Sequence, residues 1–370
     1  MKIALFYNLA FGGAKRVTFE HVKGLKELGN LVDVYTTDEQ EDIFSSSKIA
    51  DNYYVYPFKI ANLKLPIVKK VYQDFSIFYL LKRLHQKIAT DIDTRNYDIV
   101  LVHTDTNTQA PFILRFLKTN NAYFCLEPLR IVYEYSLRSS KDMFFLNRLY
   151  ESVTRSYRKK IDLKNARSAK HTIALSLFGR EYMIHAYDLY PKISYLGVDT
   201  NIFKQIIKRR KNQVLFVAEK ESIYGYDFAR EAIELIPKPV RPKLKIISWT
   251  KDNNLRISDK ELVANYSESF VALSLSKFDT FGLVPLESMA CQTPVIAFNV
   301  AGYRETIKNG ETGYLVDFDK KEIADQIINL INNPNLVEQM GKAGRKWVEK
   351  NWTWRKKIEE LQTILKEFVN

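Results

Sequence analysis

Short apolar, β-prone runs alternate with stretches of helical periodicity along this chain, and the alternation starts twice. Lys2 to Asn8 is such a run. Two glycines follow it, then Ala14 to Leu28 with Val17, Val22, Leu25 and Leu28 at helical spacing, then the strand-like Leu31 to Tyr35. Asp98 to His103, Ala122 to Leu126, Thr172 to Ser176 and Lys192 to Leu196 continue the pattern. A basic, non-periodic stretch from Lys204 to Asn212 interrupts it. It then resumes with strand Val214 to Ala218, helix Tyr226 to Leu235, strand Lys243 to Ile247, helix Ser258 to Asn265, and strands Phe270 to Leu275 and Pro294 to Asn299. Amphipathic helices over 321–332 and 335–349 and a last one opened by Trp352-Thr353-Trp354 close the chain. Such alternation predicts α/β architecture: two tandem Rossmann-like, doubly wound domains. The first spans 1–199 and the second 200–350, with a C-terminal helix, 351–370, free to pack back on the first. Ligands of wound sheets sit at the carboxyl ends of the strands, so the two domains are expected to face each other across a ligand cleft.

At 370 residues the chain can bury two cores. The two cysteines, Cys125 and Cys291, each stand alone in an apolar stretch, which suits a reducing cytoplasm and offers no structural zinc. Met1-Lys2 and the apolar run to Phe11 have the outline of a short signal peptide, but Asn8 interrupts it and Gly12-Gly13-Ala14-Lys15-Arg16 stands where a cleavage region belongs. No apolar run reaches the length of a membrane span.

The formal net charge of +13 is unevenly spread: residues 59–87 carry +6 and residues 130–170 carry +7, while the rest of the first 199 residues carries −5. Both basic segments interleave cations with large apolar groups, as in Phe78 to Arg83 and in Phe144-Phe145-Leu146 through Lys160. That mixture suits helices lying on an anionic lipid surface, and equally an amphipathic helix with a solvated basic face.

Chemistry concentrates in Phe278-Asp279-Thr280-Phe281-Gly282-Leu283-Val284-Pro285-Leu286-Glu287. One acid follows a strand; another lies one turn inside the next helix. Between them backbone N–H groups and a helix N-terminus offer a place for phosphate, flanked by acids that bind hydroxyls. Capping by Asp279 beside a surface Glu287 is the alternative.

This segment resembles the E-x7-E element of the glycosyltransferase family 4 enzymes, which have the GT-B fold and transfer sugars with retention of configuration. Thr293-Pro294-Val295-Ile296-Ala297, Ala301 to Ile307 and Asn309 to Val316 are similar too, as are Gly12 to Arg16 and Tyr195 to Asp199 with Phe203. The resemblance implies a nucleotide-diphosphate sugar as donor and no cofactor. Glu287 would hold the ribose hydroxyls, Asp279 would approach the donor sugar, and amides from Thr280, Phe281, Gly282 and Leu283 would meet sugar and phosphate. Gly12 and Gly13 would let the loop approach the diphosphate. His103 falls where the family places an active-site histidine. Lys15, Glu127 and Arg130 are expected on the acceptor side.

Two departures stand out. The family has Glu at the position of Asp279, and after the strand Val214–Val217 it has Gly-Arg and then Lys-Gly, cations that clamp the diphosphate. This chain has Ala218-Glu219-Lys220 and then Tyr224-Gly225. Lys220, one place along, is expected to supply the charge. Asp91-Ile92-Asp93 and Asp317-Phe318-Asp319 have the D-x-D form of metal-dependent transferases but are expected in turns, and no metal is expected. A nicotinamide oxidoreductase would need a G-x-G-x-x-G after a strand, which is missing, and no nucleic-acid module accompanies the positive charge. The sequence therefore predicts a retaining hexosyltransferase, cytoplasmic and peripheral on the membrane, acting on a lipid-linked or glycan acceptor. The alternative is a degenerate scaffold of the same fold that binds nucleotide or a protein partner.

Overall fold

The computed structural model describes residues 1–37, 42–59, 64–134, 144–248 and 257–370, and the chain divides into two units. The first comprises Met1–Leu175, Gly179–Ser194 and Ile358–Asn370; the second comprises Ser176–Phe178 and Tyr195–Lys357.

Seven strands build the sheet of the first unit: β1 (Lys2–Asn8), β2 (Leu31–Thr36), β3 (Tyr53–Val55), β4 (Ile99–Asp105), β5 (Asn121–Cys125), β6 (His171–Ala174) and β7 (Lys192–Ile193). Their order is β3-β2-β1-β4-β5-β6-β7, and every pairing is parallel. The inner strands β1, β4 and β5 are buried along nearly their whole length, which is why they read as continuous apolar runs. The helices are α1 (Gly13–Glu27), α2 (Pro66–Val71), α3 (Ile77–Asp93), α4 (Arg130–Tyr133), α5 (Phe145–Ala166) and α6 (Leu177–Tyr187), with a π turn at Tyr72–Ser76 between α2 and α3. The chain order reverses between β1 and β4, so the ligand crevice of this sheet lies beyond the carboxyl ends of those two strands.

The second unit repeats the plan. Strands β8 (Gln213–Val217), β9 (Lys243–Ile247), β10 (Val271–Ser274), β11 (Val295–Phe298) and β12 (Gly313–Val316) form a sheet in the order β12-β11-β10-β8-β9, again all parallel. Here the reversal falls between β8 and β10. The helices are α7 (Tyr226–Leu235), α8 (Asp259–Glu268), α9 (Leu283–Ala290), α10 (Tyr303–Thr306), α11 (Lys320–Asn332), α12 (Pro334–Asn351) and α13 (Trp354–Val369). Ser258 starts α8 through a reciprocal cap with Glu261. Side chains such as Phe216, Ala229, Leu273, Ile296, Phe298 and Ile327 fill the core between the sheet and its helices.

From Ile358 onward α13 belongs to the first unit. Ile358, Leu361 and Leu365, spaced along one helical face, are buried there. The Phe368 ring stacks on His171 at 4.1 Å, and the Phe368 carbonyl accepts from Asn120 Nδ2 at 2.6 Å.

Two local readings need correction. Asp91-Ile92-Asp93 is the last turn of α3 rather than a free turn. Its carboxylates are spent on the fold: Asp91 accepts from Tyr56 and Arg95, and Asp93 from the amides of Lys118 and Thr119. The three-residue edge strand β3 gave no periodic signal, since Tyr53-Tyr54-Val55 is only partly buried and too short to alternate.

Candidate functional site

In the second unit the crevice is formed by the loops after β8 and β10. Asp279 organises the second of these. Its Oδ1 accepts from the amides of Phe281 at 3.0 Å and Gly282 at 2.9 Å, and its carbonyl accepts from Gly302 N at 3.0 Å. The Phe281 and Gly282 amides, which were expected to meet the ligand, are bonded here to an acid two and three residues back. The Asp279 Oδ2 atom has no hydrogen bond among the described residues. Gly282 then starts α9 at φ +94°, where a Cβ would lie 2.9 Å from the Tyr303 ring; a side chain would be both strained and crowded. The first-turn amides of Leu283 and Val284 have no intrahelical acceptor, and Pro285, third in the helix, has no N–H to leave unsatisfied. Helix α9 has no acid in its first turn; Asp279 takes the amide of its N-cap Gly282, and the first-turn amides beyond it suit an anion.

Glu287 sits one turn further in and is only 8% exposed. Tyr266, fully buried on α8, donates its hydroxyl to Glu287 Oε2 at 3.1 Å. A buried carboxylate oriented by a tyrosine is preorganised to accept from hydroxyl donors. The loop after β8 is less open. Glu219 Oε2 accepts from Ser248 Oγ at 2.6 Å, while Lys220 is exposed and has no ionic partner among the described residues. A 3-10 turn, Ser222–Tyr224, leads to α7, whose first turn carries Asp227.

In the first unit the loop after β1 delivers Gly12, at φ 153° and ψ −171°, as the residue before α1. A Cβ at Gly12 or Gly13 would meet nothing within 4 Å. The space in front of this helix start is open, and α1 also lacks an acid in its first turn. The side chains behind the loop are closed in. Lys15 is fully buried with its Nζ 2.8 Å from Asp42 Oδ2, so its charge is neutralised inside the unit and does not face an acceptor. Asp105, at the end of β4, accepts from Asn8 Nδ2 at 2.7 Å and from the amides of Asn107 and Thr108 at 2.7 and 3.0 Å. This bond ties together the two strands that flank the crevice.

His103 lies in the body of β4 with no exposed surface. Its Nε2 is 3.1 Å from Nδ1 of His21 on α1, and the Phe124 ring lies 5.1 Å away. Its Nδ1 is buried without a hydrogen bond. Burial and the neighbouring His21 hold the His103 pKa well below the ordinary value, and burial lowers that of His21 to about 3; both rings are neutral at ordinary pH. Glu127 and Arg130 follow β5. The Glu127 carbonyl accepts from Gln109 Nε2 at 2.7 Å, and the Glu127 and Arg130 side chains approach to 4.0 Å.

The sequence did not single out Asn8, Asp105, His21 or Tyr266. Asn8 carried a signal, since it ends an apolar run, whereas His103 and Thr104 separate Asp105 from the run Ile99–Val102. His21 and Tyr266 lie inside helices, and only the tertiary fold brings them to His103 and Glu287. Asp319 caps α11 by accepting from Lys321 N at 2.8 Å, and Asp317 N donates to Glu322, so Asp317-Phe318-Asp319 serves a helix start.

Residues 254–347 match the family model described as glycosyl transferases group 1. The N-acetyl-alpha-D-glucosaminyl L-malate synthase of Bacillus anthracis is 38% identical over 120 residues, 30% of this chain and 32% of that protein. The capsular polysaccharide biosynthesis glycosyltransferase CapM of Staphylococcus aureus is 42% identical over 90 residues, 24% of each chain. The matched segments thus span about a third or less of these relatives' length. Similarity in fold runs much further. A sucrose-phosphate synthase from Thermosynechococcus elongatus superposes with a TM-score of 0.75 at 17% identity, covering 99% of both chains. Anabaena HepE in complex with UDP-glucose does so with a TM-score of 0.69 at 16% identity, over 99% of this chain and 100% of that one. No helix among the described residues is long and apolar enough to cross a membrane. The segment that matches the glycosyl transferases group 1 model contains Asp279, α9 and Glu287, and the fold of the chain is that of the GT-B enzymes.

Proposed function

We propose that this protein moves a hexose from a nucleotide-diphosphate sugar to an acceptor hydroxyl with retention of configuration and without a metal. The observation that carries the reading is the start of α9: Leu283 and Val284 amides with no hydrogen bond among the described residues, at a helix whose first turn has no acid, with the buried, tyrosine-held Glu287 one turn beyond. The diphosphate lies against those amides and the ribose hydroxyls donate to Glu287. Lys220 adds a cation from the loop after β8, and Asp279 Oδ2 faces the sugar. Gly12 and Gly13 leave room for the backbone of the first unit to approach the phosphates. The bond from C1 to the phosphate oxygen breaks as C1 bonds to the acceptor oxygen on the same face. The acceptor's proton passes to the departing phosphate oxygen, whose charge the amides stabilise. His103, buried in β4 with its Nε2 against His21 Nδ1, is read as acting from behind the sugar site. Glu127 and Arg130 stand on the acceptor side.

The acceptor is lipid-linked or a growing glycan, met at the cytoplasmic face of a membrane that the basic, aromatic segments 59–87 and 130–170 contact. Anabaena HepE was solved in complex with UDP-glucose and CapM serves capsular polysaccharide biosynthesis, both in keeping with a nucleotide-sugar donor and a glycan product.

Thermal unfolding with a panel of nucleotide diphosphates and nucleotide sugars, with and without divalent metal, tests the proposal. Stabilisation by one nucleotide series, lost in Glu287→Ala and indifferent to metal, is expected. No shift with any member would favour a second reading, a scaffold of this fold that binds a partner without turnover. The tie between Glu219 and Ser248, where the family has a cation, is the observation on that side.

A further inference from the structure

The two basic, aromatic segments of the first unit meet at Asp74, in the π turn between α2 and α3. Asp74 accepts from Tyr150 Oη at 2.9 Å and from Arg158 Nη2 at 3.0 Å, both on α5. The Phe75 and Phe78 rings pack on Tyr157 at 5.2 and 5.8 Å, and Lys70 Nζ lies 4.7 Å from the Tyr150 ring. That contact uses one side of α5 and leaves another outward.

The outward side has an unusual composition. Phe145, Leu146, Leu149 and Val153 are 63%, 60%, 52% and 51% exposed, an apolar stripe on the solvent face of a helix that already buries Thr154, Ile161 and Asp162 on its inner face. Alongside it run Arg148, Arg155 and Lys159, at spacings that place them on one helical face. With Ser152, Ser156, Glu151 and Val132 of α4 they line a cavity of about 350 Å³. Three cations against one acid leave it positive. Arg155 is braced, with Nη2 on Glu151 Oε1 at 2.5 Å and Nη1 on the Ile131 carbonyl. Lys159 Nζ lies 5.4 Å from the Tyr133 ring. Arg148 is exposed, with no ionic partner among the described residues. The cationic row spans roughly 16 Å and the apolar stripe roughly 12 Å along the helix axis.

We propose that this cavity receives the headgroup phosphate of an anionic membrane lipid while the apolar stripe of α5 enters the acyl region. The inference rests on the reading of a membrane-associated acceptor and gives it a location. A soluble phosphate would satisfy the cations and leave four apolar side chains in water; a lipid satisfies both surfaces at once. Placement agrees, because α4 follows the carboxyl end of β5, just after Glu127, at the end of the sheet where the acceptor is expected.

Co-sedimentation of the full chain with vesicles of equal parts phosphatidylglycerol and phosphatidylcholine, at low salt, tests this. The double variant Arg148→Gln/Lys159→Gln is expected to lower vesicle partitioning about thirtyfold, from two lost cations. Leu149→Ser/Val153→Ser is expected to lower it at least as much. Both should keep the wild-type unfolding midpoint and nucleotide-induced shift. Equal partitioning of Arg148→Gln/Lys159→Gln and wild type, or equal binding to pure phosphatidylcholine, would overturn the headgroup site. So would stabilisation by inorganic phosphate without vesicle binding, which would mark a soluble-phosphate site. A protein that binds nucleotide but no vesicle loses this inference and keeps the transferase reading. One that binds vesicles through α5 but no nucleotide keeps the inference and loses that reading.

Discussion

The two crevices occupy the same topological place in their sheets and treat charge in opposite ways. In the first unit the charged groups behind the opening are consumed internally: Lys15 by Asp42, and Asp105 by Asn8 and its own loop. What remains open is backbone, at Gly12 and Gly13. In the second unit Lys220 is exposed and the Leu283 and Val284 amides have no hydrogen bond among the described residues, while Glu287 is buried one turn behind them. Helix starts show the same contrast. Helices α1 and α9 have no acid in the first turn, whereas α7, which follows β8, has Asp227. A strand end therefore does not make a charge available, and in the second unit an anion is better served by α9 than by α7.

Breaking the internal pair in the first unit should have the largest effect. Lys15→Met leaves Asp42 buried and uncompensated, and is expected to cost about 3–5 kcal/mol in denaturant unfolding, with nucleotide binding by the remaining folded protein unchanged. A smaller change in stability would mean that water reaches Asp42. Next comes Glu287→Ala. Stability should fall by about 1–3 kcal/mol, because the buried Tyr266 hydroxyl loses that acceptor, and nucleotide affinity measured by calorimetry should fall about ten- to a hundredfold, the equivalent of about 1.5–3 kcal/mol for hydrogen bonds to a charged group.

How much of this contrast could be read from sequence depends on which distances matter. The wound plan was legible because buried parallel strands are apolar throughout, and β1, β4, β8 and β10 are of that kind. The acid-helix-acid spacing of Asp279 and Glu287 was legible because it is local. What Asp279 Oδ1 does was not, since capping and ligand binding use the same residue types. Lys15 illustrates the harder limit: its partner is 27 residues away, and no pattern in the first helix distinguishes an ammonium aimed at a ligand from one aimed inward.

Several buried polar groups of the first unit are less well served, and one of them, Asp162, gives a third test. Asp162 on α5 is fully buried, and burial pushes its pKa up to about 7 although Ala110 N donates to it at 3.0 Å. The folded state keeps this proton where the unfolded chain, with a value near 3.8, has lost it. Its contribution is therefore complete at low pH and is lost as pH rises through about 7. The unfolding free energy of wild type should fall across that window relative to Asp162→Asn, by a few kcal/mol and at most about 4; parallel pH profiles would show that the carboxyl stays ionised throughout. The smallest effect is expected from Lys220→Ala, an exposed cation: a loss of donor affinity of about two- to fivefold that shrinks in salt, with no change in stability. Unchanged affinity would place all the positive potential of the second crevice on α9.

Residues 358–370 complete the first unit although most of the second unit precedes them in the chain. During synthesis, residues up to Ser194 emerge first but must wait for Ile358, Leu361, Leu365 and Phe368 to cover them. At about 5–20 residues per second, that interval lasts roughly ten to thirty seconds. The nascent first unit passes it with an apolar seam uncovered, and is then most exposed to chaperones, proteases and mispairing with neighbouring chains.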